Sequence, residues 1–405
     1  MIRYRAPWVV PIIGEPIENG WVDVADGFIV DVGSPKKKTF SVGHPEVDLS
    51  SSVIMPGLVN AHTHLELSGL RGQIPKAPSM PRWTRKLLSR TAEIAPDDTA
   101  IRAAVYEAQQ SGTVLVGDIS NTLASVEPLR DAGMMATVFK ELLGFNESTP
   151  TDLVAQTCNE LSKFNGKGFR FCLAAHAPYS VSPALFKALR AAVSDREFWP
   201  LSVHVAESRE EVEFLQTGTG EWREILEERG RWDPGWTPSN MTPVEYLDSL
   251  GWCGRDTLMV HGVQLTDSDL SRMVAGDVTL VTCPRSNNWT GAGHPPVDRV
   301  YASGVRVAVG TDSLASVIDL NLFSELHELR RLGPAVPASA ILRSATQIGA
   351  EALGFGGELG VIAPGYRALL VAVRYAEAVV GDVEEYLVNG IKSEQVTWIT
   401  ETIES

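Results

Sequence analysis

No stretch of this 405-residue chain approaches the roughly 18 uninterrupted apolar residues that a membrane-spanning helix needs. The opening MIRYRAPWVVPIIGEPIENG has no long apolar region and is broken by prolines, so neither a span nor an export signal is expected. Cysteine is scarce. The four that occur, Cys158, Cys172, Cys253 and Cys283, are scattered, and three sit in or beside apolar strand-like runs, as small buried hydrophobes do. Reduced thiols and a cytoplasmic location are the expectation. Basic residues are also few: Lys+Arg 35 against Asp+Glu 50 leave a formal net charge of −15. A phosphate backbone or an anionic membrane surface would be repelled on average, so neither nucleic acid nor membrane is an expected partner. There is no internal repeat or low-complexity tract. The combination of H-x-E with P-C-x-x-C that marks zinc deaminases of nucleic acid is also missing.

What the chain does contain is an alternation. Eight short apolar runs, IMPGLVNAH, GTVLVGDIS, MMATVFKELLGF, FRFCLAAHAPY, WPLSVHVAE, DTLMVHGVQ, VTLVTCP and VRVAVGTDS, are separated by helix-like segments. Among these, PDDTAIRAAVYEAQQSG is opened by acidic residues and closed by glycine, and SPALFKALRAAVSD is opened by Ser182-Pro183. Eight such units predict the α/β class, a (β/α)8 barrel of the TIM type, over residues 56–362. The ends, 1–55 and 363–405, have a different texture of short alternating pieces such as GWVDVADGFIVDVG and GYRALLVAVRY, and are expected to form one small β-sandwich beside it. Two Pro- and Trp-rich insertions, QIPKAPSMPRWTRKLLSR and RWDPGWTPSN, are expected as loops on the catalytic face, where a substrate lid would be.

Active sites of such barrels lie at the C-terminal ends of the strands. His62, His64, His176, His204, Glu207, His261 and Asp312 all fall at or just past the end of a run. In GLVNAHTHLE the apolar run closes on His62 and His64, and residues i and i+2 of a strand share a face. Two neutral imidazoles on one point are half of a divalent-metal site. Taken alone, the pair reads as well as two hydrogen-bonded polar residues at a strand end. His204 is open in the same way between ligand and core histidine, and Asp312 between ligand and cap of a helix near Leu320. Glu207 is open between proton carrier and the acid that starts a helix.

The ordered motifs PGLVNAHTHLE, HAPYSVS, HVAES, VHGVQL, CPRSNNWTGAGHPPV and VGTDS resemble the successive strand-end motifs of the amidohydrolase superfamily. The similar branch holds the cytosine, guanine, S-adenosylhomocysteine and aminodeoxyfutalosine deaminases and the triazine chlorohydrolases. The resemblance implies that His62, His64, His204 and Asp312 bind one divalent metal, zinc ahead of iron. It implies that Glu207 carries a proton to a ring nitrogen and that His261, with Asp312, orients the attacking water during hydrolytic deamination of an aromatic N-heterocycle. Binuclear relatives usually place a carboxylated lysine where this chain has His176, and Lys140 beside Glu141 reads as an ordinary ion-paired lysine, so a mononuclear site is expected.

His176 matches a position that contacts the sugar of nucleoside substrates, and Glu141 is a further candidate for substrate binding. HTHLELS, GTDSLAS and KELLGF look most like the aminodeoxyfutalosine deaminases of menaquinone biosynthesis. Arg285, or Arg82 or Arg85 around Trp83, are candidates for a substrate carboxylate, with Trp83 available to stack on a base. His44, His294 and His327 are assigned no catalytic role, although the glycine-rich loop of His294 is expected near the site. The rival readings are a chlorohydrolase-like enzyme on a triazine or pterin ring, a deaminase of free guanine or cytosine, and an inactive scaffold. The expected partners are a small-molecule substrate and a second copy of the chain in a homodimer.

Overall fold

The computed structural model describes residues 1–36, 45–93, 95–194, 198–375 and 381–399, so His44 lies outside the described residues. All eight apolar runs are strands of one parallel sheet: β6 (Leu58–Thr63), β7 (Thr113–Ser120), β8 (Met135–Leu142), β9 (Phe169–Ala175), β10 (Leu201–Val205), β11 (Thr257–His261), β12 (Thr279–Thr282) and β13 (Arg306–Val309). Each neighbours the next in chain order, the arrangement of the expected (β/α)8 barrel. Their residues are buried almost throughout, because a parallel sheet covered by helices exposes neither face to water. The helix boundaries follow from side-chain chemistry. Asp97 caps Asp98–Gln110 by accepting from the N–H groups of Thr99 and Ala100, and Ser182 caps Pro183–Ala191 by accepting from Leu185 N–H. Among the described residues no helix is long and apolar enough to cross a membrane.

The chain ends join in one seven-stranded mixed sheet. It is built from β1 (Ile2–Val9), β2 (Ile17–Ala25), β3 (Phe28–Gly33), β4 (Glu46–Asp48) and β5 (Ser52–Pro56), completed by β14 (Leu370–Arg374) and β15 (Val396–Ile399). β14 runs antiparallel to β5 and pairs Leu370 with Pro56, so the tail closes onto the strand that leads directly into the barrel. One apolar cluster joins Tyr4, Val22, Val24 and Ile29. Another packs Val53, Met55, Val371 and Val373 against the helices Leu322–Leu332 and Ala338–Ser344. The passage between the two sheets is made at Gly57, where a Cβ would lie 2.0 Å from Val114 Cγ1.

The first insertion departs from the expectation of a loop. Met80–Thr91 is a helix, with Pro81 in its first turn, where a missing N–H costs nothing. Its residues Met80, Trp83, Thr84, Leu87, Leu88 and Thr91 line a large cavity on the catalytic face. The second insertion is irregular, as expected, but it is pinned by aromatic contacts. Trp236 stacks on Phe214 with centroids 4.8 Å apart, and Trp232 stacks on Phe145 at 5.7 Å.

Between β13 and β6, where the eight-stranded order ends, side chains and strand-end backbone close the barrel. Asn60 donates its amide to Thr311 Oγ1 at 2.8 Å and accepts from Thr311 N–H at 3.1 Å. One residue on, Asp312 N–H donates to the His62 carbonyl at 3.0 Å. The approach is close enough that a Cβ on Gly310 would stand 2.7 Å from His62 Cβ. Replacing Gly310 with Ala should therefore cost about 1–3 kcal/mol through overpacking, read as a lowered denaturant midpoint at unchanged m-value. Replacing the open, unobstructed Gly304 with Ala tests only its left-handed backbone and serves as the control.

Candidate functional site

Six strand ends deliver the polar residues to one point. His62 lies within β6 and is fully buried, and His64 follows at the same face, as their i, i+2 spacing requires. The His62 and His64 ring centroids are 4.9 Å apart, His62 and His204 are 5.0 Å apart, and His64 and His204 are 5.5 Å apart. One nitrogen from each of these three rings falls within 4.8 Å of the others, a spacing that can hold a metal ion. Asp312 Oδ1 stands 3.6 Å from His64 Nε2 and 3.9 Å from His62 Nε2. Glu207 Oε2 faces His261 Nε2 at 3.5 Å. Asp312 caps no helix: Asn321 caps Leu322–Leu332 by accepting from Phe323 N–H.

Hydrogen bonds decide which ring atoms are free. His204 Nδ1 lies 2.7 Å from the His176 carbonyl and so carries the proton, leaving Nε2 as a lone-pair donor. A second group of Glu141, His176 and His204 is also compact, but it is a poorer metal site: its His204 Nδ1 is already committed to that carbonyl, and His176 Nδ1 is bonded to Ser180 Oγ at 2.6 Å. Asn287 Nδ2 donates to His261 Nδ1 at 2.9 Å, which puts the His261 proton on Nε2, toward Glu207. Both nitrogens of buried His62 lack a hydrogen-bond partner, as do Glu207 Oε2 and Glu141 Oε1. Buried polar atoms left so are costly, and their convergence at one place fits a cation and a polar ligand between them.

Burial, reinforced by the neighbouring imidazoles, pushes the pKa values of His62 and His204 well below the usual histidine range. Burial takes His261 down to about 4. These rings are neutral at neutral pH, the form that binds a metal. Burial, with Asp312 and Glu211 nearby, raises the Glu207 carboxyl well above the ordinary carboxylate range. Around these groups opens a cavity of about 830 Å³, walled by Trp83, Leu87, Phe145 and Trp222 and reaching Glu141, His176, Glu207 and Asp312. Tyr179 stacks on Trp222 with centroids 3.8 Å apart and stiffens that wall.

Several sequence-level expectations fail here. Arg285 does not reach the cavity: it is bound to Glu325 at 2.7 Å and Asp319 at 2.9 Å, a buried clamp that leaves nothing for a substrate carboxylate. Arg85 is held by Glu221, Glu224 and Glu228, and Arg82 is exposed outside the cavity wall. His294 is exposed and does not line the cavity, although Thr290 of the same segment does. Trp83, Glu141 and His176 do line it.

Other participants were invisible in the sequence. Glu211 accepts from Ala206 N–H at 3.0 Å and Glu207 N–H at 2.8 Å, clamping the turn in which Ala206 takes a φ of +50°. Ser286 donates to Asp312 Oδ2 at 2.5 Å and Ser316 donates to it at 3.2 Å, while Ser313 N–H donates to Oδ1 at 2.7 Å. Ser313 and Ser316 belong to the quoted GTDSLAS, whose spacing gave them no reading. The four-residue step from Glu207 to Glu211 is the only sequence signal for the clamp.

Glu211→Gln would turn an amide donor against one of two backbone donors. It should lose about 1–3 kcal/mol of stability by denaturant titration, the cost of one buried unsatisfied polar group. A second test concerns Asp118, which holds the turn after His64 by accepting from Leu65 N–H at 2.8 Å and from Ser125 Oγ. Burial, with Glu66 adding to it, raises its pKa to about 7. The folded carboxyl binds its proton more tightly than the unfolded one, whose pKa is about 3.9. Its stabilisation is therefore complete below that value and is lost as pH rises through about 7. The stability difference between wild type and Asp118→Asn, followed by thermal melts, should shift against the wild type between pH 5 and pH 8; a difference independent of pH would contradict the shift.

Comparison with known proteins agrees with the fold. The amidohydrolase family matches over residues 53–394. A 5-methylthioadenosine/S-adenosylhomocysteine deaminase of Syntrophomonas wolfei subsp. wolfei is 30% identical over 98% of this chain and 90% of its own length. Among solved structures, Helicobacter pylori aminofutalosine deaminase in complex with methylthio-coformycin has a TM-score of 0.87 at 27% identity, covering 98% of this chain and 100% of that one. An adenosine deaminase from Xanthomonas campestris with bound zinc has a TM-score of 0.82 at 26% identity, covering 98% and 90%. The family match spans every strand of the barrel, and the chain belongs to the amidohydrolase family, whose members are metal-dependent.

Proposed function

We propose that this protein hydrolytically deaminates the adenine-type ring of a nucleoside, with aminodeoxyfutalosine, on the route to menaquinone, as its substrate. The observation that supports this most directly is the buried, unpartnered Glu207 Oε2 set 3.5 Å from His261 Nε2 beside the imidazole cluster. Burial favours the protonated form of a carboxyl in that setting, and such a group can hand its proton to a ring nitrogen. The cavity of about 830 Å³ favours a nucleoside with an extended sugar substituent over a free base, which would leave most of that space to water. The names of the similar deaminases point to the same class of substrate.

His62, His64, His204 and Asp312 would hold one divalent ion, and we assign zinc, which takes imidazole and carboxylate ligands and leaves a position open. When bound, such an ion supplies Lewis acidity that lowers the pKa of water toward about 7. The chain's own residues do the rest. Trp83 and the neighbouring apolar wall exclude water around the ring, and His176 is available to the sugar. The neutral His261, with its proton on Nε2, orients the attacking water between itself and Asp312. Glu207 protonates the ring nitrogen as oxygen adds to the amine-bearing carbon; of the two protons that the water gives up, one passes by way of Glu207 to the departing amine, and the other, lost as the oxygen becomes a carbonyl, restores the proton on Glu207. The carbon–nitrogen bond breaks, ammonia leaves, and the ring keeps a carbonyl oxygen from water.

Glu207→Gln keeps size and hydrogen-bonding capacity but cannot shuttle a proton, so kcat for ammonia release should fall by about 10²- to 10⁴-fold with metal content retained. His204→Ala should lose metal and activity together, measured by elemental analysis of the purified protein. A Glu207→Gln enzyme that empties of metal yet turns over normally once remetallated would overturn the assignment of Glu207.

A further inference from the structure

The Asp312 carboxylate is held from two segments of chain. Ser286 belongs to the helix Pro284–Thr290, and Ser313 and Ser316 to the loop that follows β13; among the described residues these three supply every hydrogen bond to that carboxylate. The same short helix carries Asn287, which bonds the ring of His261. Seven residues are too few for a helix to be stable by itself in water, so tertiary contacts must set where this one lies. Its far end is fastened by Trp289, whose Nε1 donates to the Ile74 carbonyl at 2.9 Å and whose own carbonyl accepts from Ala77 N–H at 3.2 Å. Its near end is fastened through Arg285. The Arg285 backbone N–H donates to Glu325 Oε2 at 3.2 Å and its Nε to Oε1 at 2.7 Å, while one terminal nitrogen reaches Asp319 Oδ1 at 2.9 Å and the other the Asp319 carbonyl at 3.0 Å. Glu325 is fully buried in the helix Leu322–Leu332, and Asp319 lies in the loop of Ser313 and Ser316. One guanidinium thus ties together the two segments that hold Asp312, and ties both to a helix that lines no part of the cavity.

We propose that Arg285 is a positioning residue for the reaction: by tying the helix Pro284–Thr290 and the loop of Ser313 to Asp319 onto Glu325, it sets the orientation of the Asp312 carboxylate and of the His261 ring. This rests on the reading of Asp312 as a metal ligand and of His261 as the group that orients the water, and it adds the residue that keeps both in place. Arg285, Glu325 and Asp319 are absent from the cavity lining, so their loss leaves the substrate's surroundings as they are. What changes is the donor set. An Asp312 carboxylate freed from Ser286 can turn about its side-chain bonds, and a His261 ring freed from Asn287 can carry its proton on either nitrogen. Lysine replaces Arg285 only in part, since a single ammonium does not span Glu325 and both Asp319 acceptors as the fixed fork of a guanidinium does.

The test removes both members of the buried pair together, in Arg285→Met/Glu325→Gln, because Arg285→Met alone would strand a buried carboxylate. Zinc affinity is measured by competition with a chelator, and kinetics by ammonia release from aminodeoxyfutalosine. Loss of an outer partner of a metal ligand typically weakens metal binding or activity by about 10- to 100-fold, so zinc affinity and kcat should each fall by that order, with KM little changed. Arg285→Lys should fall between the double variant and wild type. The control is Arg3→Met/Asp23→Asn, which dismantles another buried ion pair, 2.7 Å long, between β1 and β2 of the end sheet. It should lower the melting temperature and leave zinc affinity and kcat unchanged. Wild-type zinc affinity and kcat in a folded Arg285→Met/Glu325→Gln protein, or equal losses in the control, would overturn the proposal. If that variant does not fold, Arg285→Lys decides: reduced zinc affinity at unchanged KM supports the proposal, and wild-type values overturn it. If no ammonia is released by the wild type, the substrate reading fails and zinc affinity alone decides. If the wild type binds no zinc either, crystal structures of the metal-free wild type and double variant decide. Bonds from Ser286 to Asp312 and from Asn287 to His261 that are lost in the variant support the clamp, and bonds that persist overturn it.

Discussion

Closure of the barrel between β13 and β6 is the constraint on which everything else in the molecule depends. The other strand pairs are bound along their edges, but at this seam the Asn60 amide, Thr311 and the strand-end backbone do the joining. Because Gly310 carries no side chain, the last strand can lie against His62 itself, and the next two residues bring the Asp312 carboxylate within 3.9 Å of His62 and 3.6 Å of His64. Residues 250 positions apart in the chain thereby become one donor set. A barrel open by one more ångström here would keep its hydrophobic core and lose that set.

The same closure buries polar groups that water would otherwise serve. Ser286, Ser313 and Ser316 satisfy Asp312, Asn287 satisfies one His261 nitrogen, and Glu211 satisfies two backbone N–H groups beneath Glu207. Within the cluster, His62, Glu141 and Glu207 keep atoms without a hydrogen-bond partner. Backbone strain is present there too, since Ala206, His261 and Asp312 all have positive φ with side chains present. Non-glycine residues held in that region cost of order 1–3 kcal/mol each, and such costs persist where the surrounding structure over-determines them. Asp312 and the Glu207 turn are held from outside while His62 and Glu207 keep bare atoms on the inner face, the organisation of a site shaped for something that binds between them.

Charge is distributed by the fold in a way that local sequence does not announce. Arg285 follows a cysteine and a proline at a strand end, an apt place for a substrate contact, yet the helix Leu322–Leu332 brings Glu325 against it and the guanidinium is spent in a buried pair. Arg85 sits two residues from the cavity-lining Trp83, but the helix Glu221–Glu228 presents three glutamates to it.

By itself the sequence determined the eight strands, the helix caps at Asp97 and Ser182, the pairing of the two chain ends, and the strand-end position of His62, His64, His204, Glu207, His261 and Asp312. These are local matters: apolar run length, capping chemistry and two-residue strand periodicity act within a few residues of chain. It missed the helix Met80–Thr91, because prolines and tryptophan in QIPKAPSMPRWTRKLLSR read as loop when the position of Pro81 within the first turn is unknown. Only the tertiary structure decided which nitrogen of His204 is free, which carboxylate supports the Glu207 turn, and which carboxylates hold Arg285 and Arg85. Each of those depends on partners from separate strands and helices, and nothing short of the closed barrel brings them within hydrogen-bonding distance.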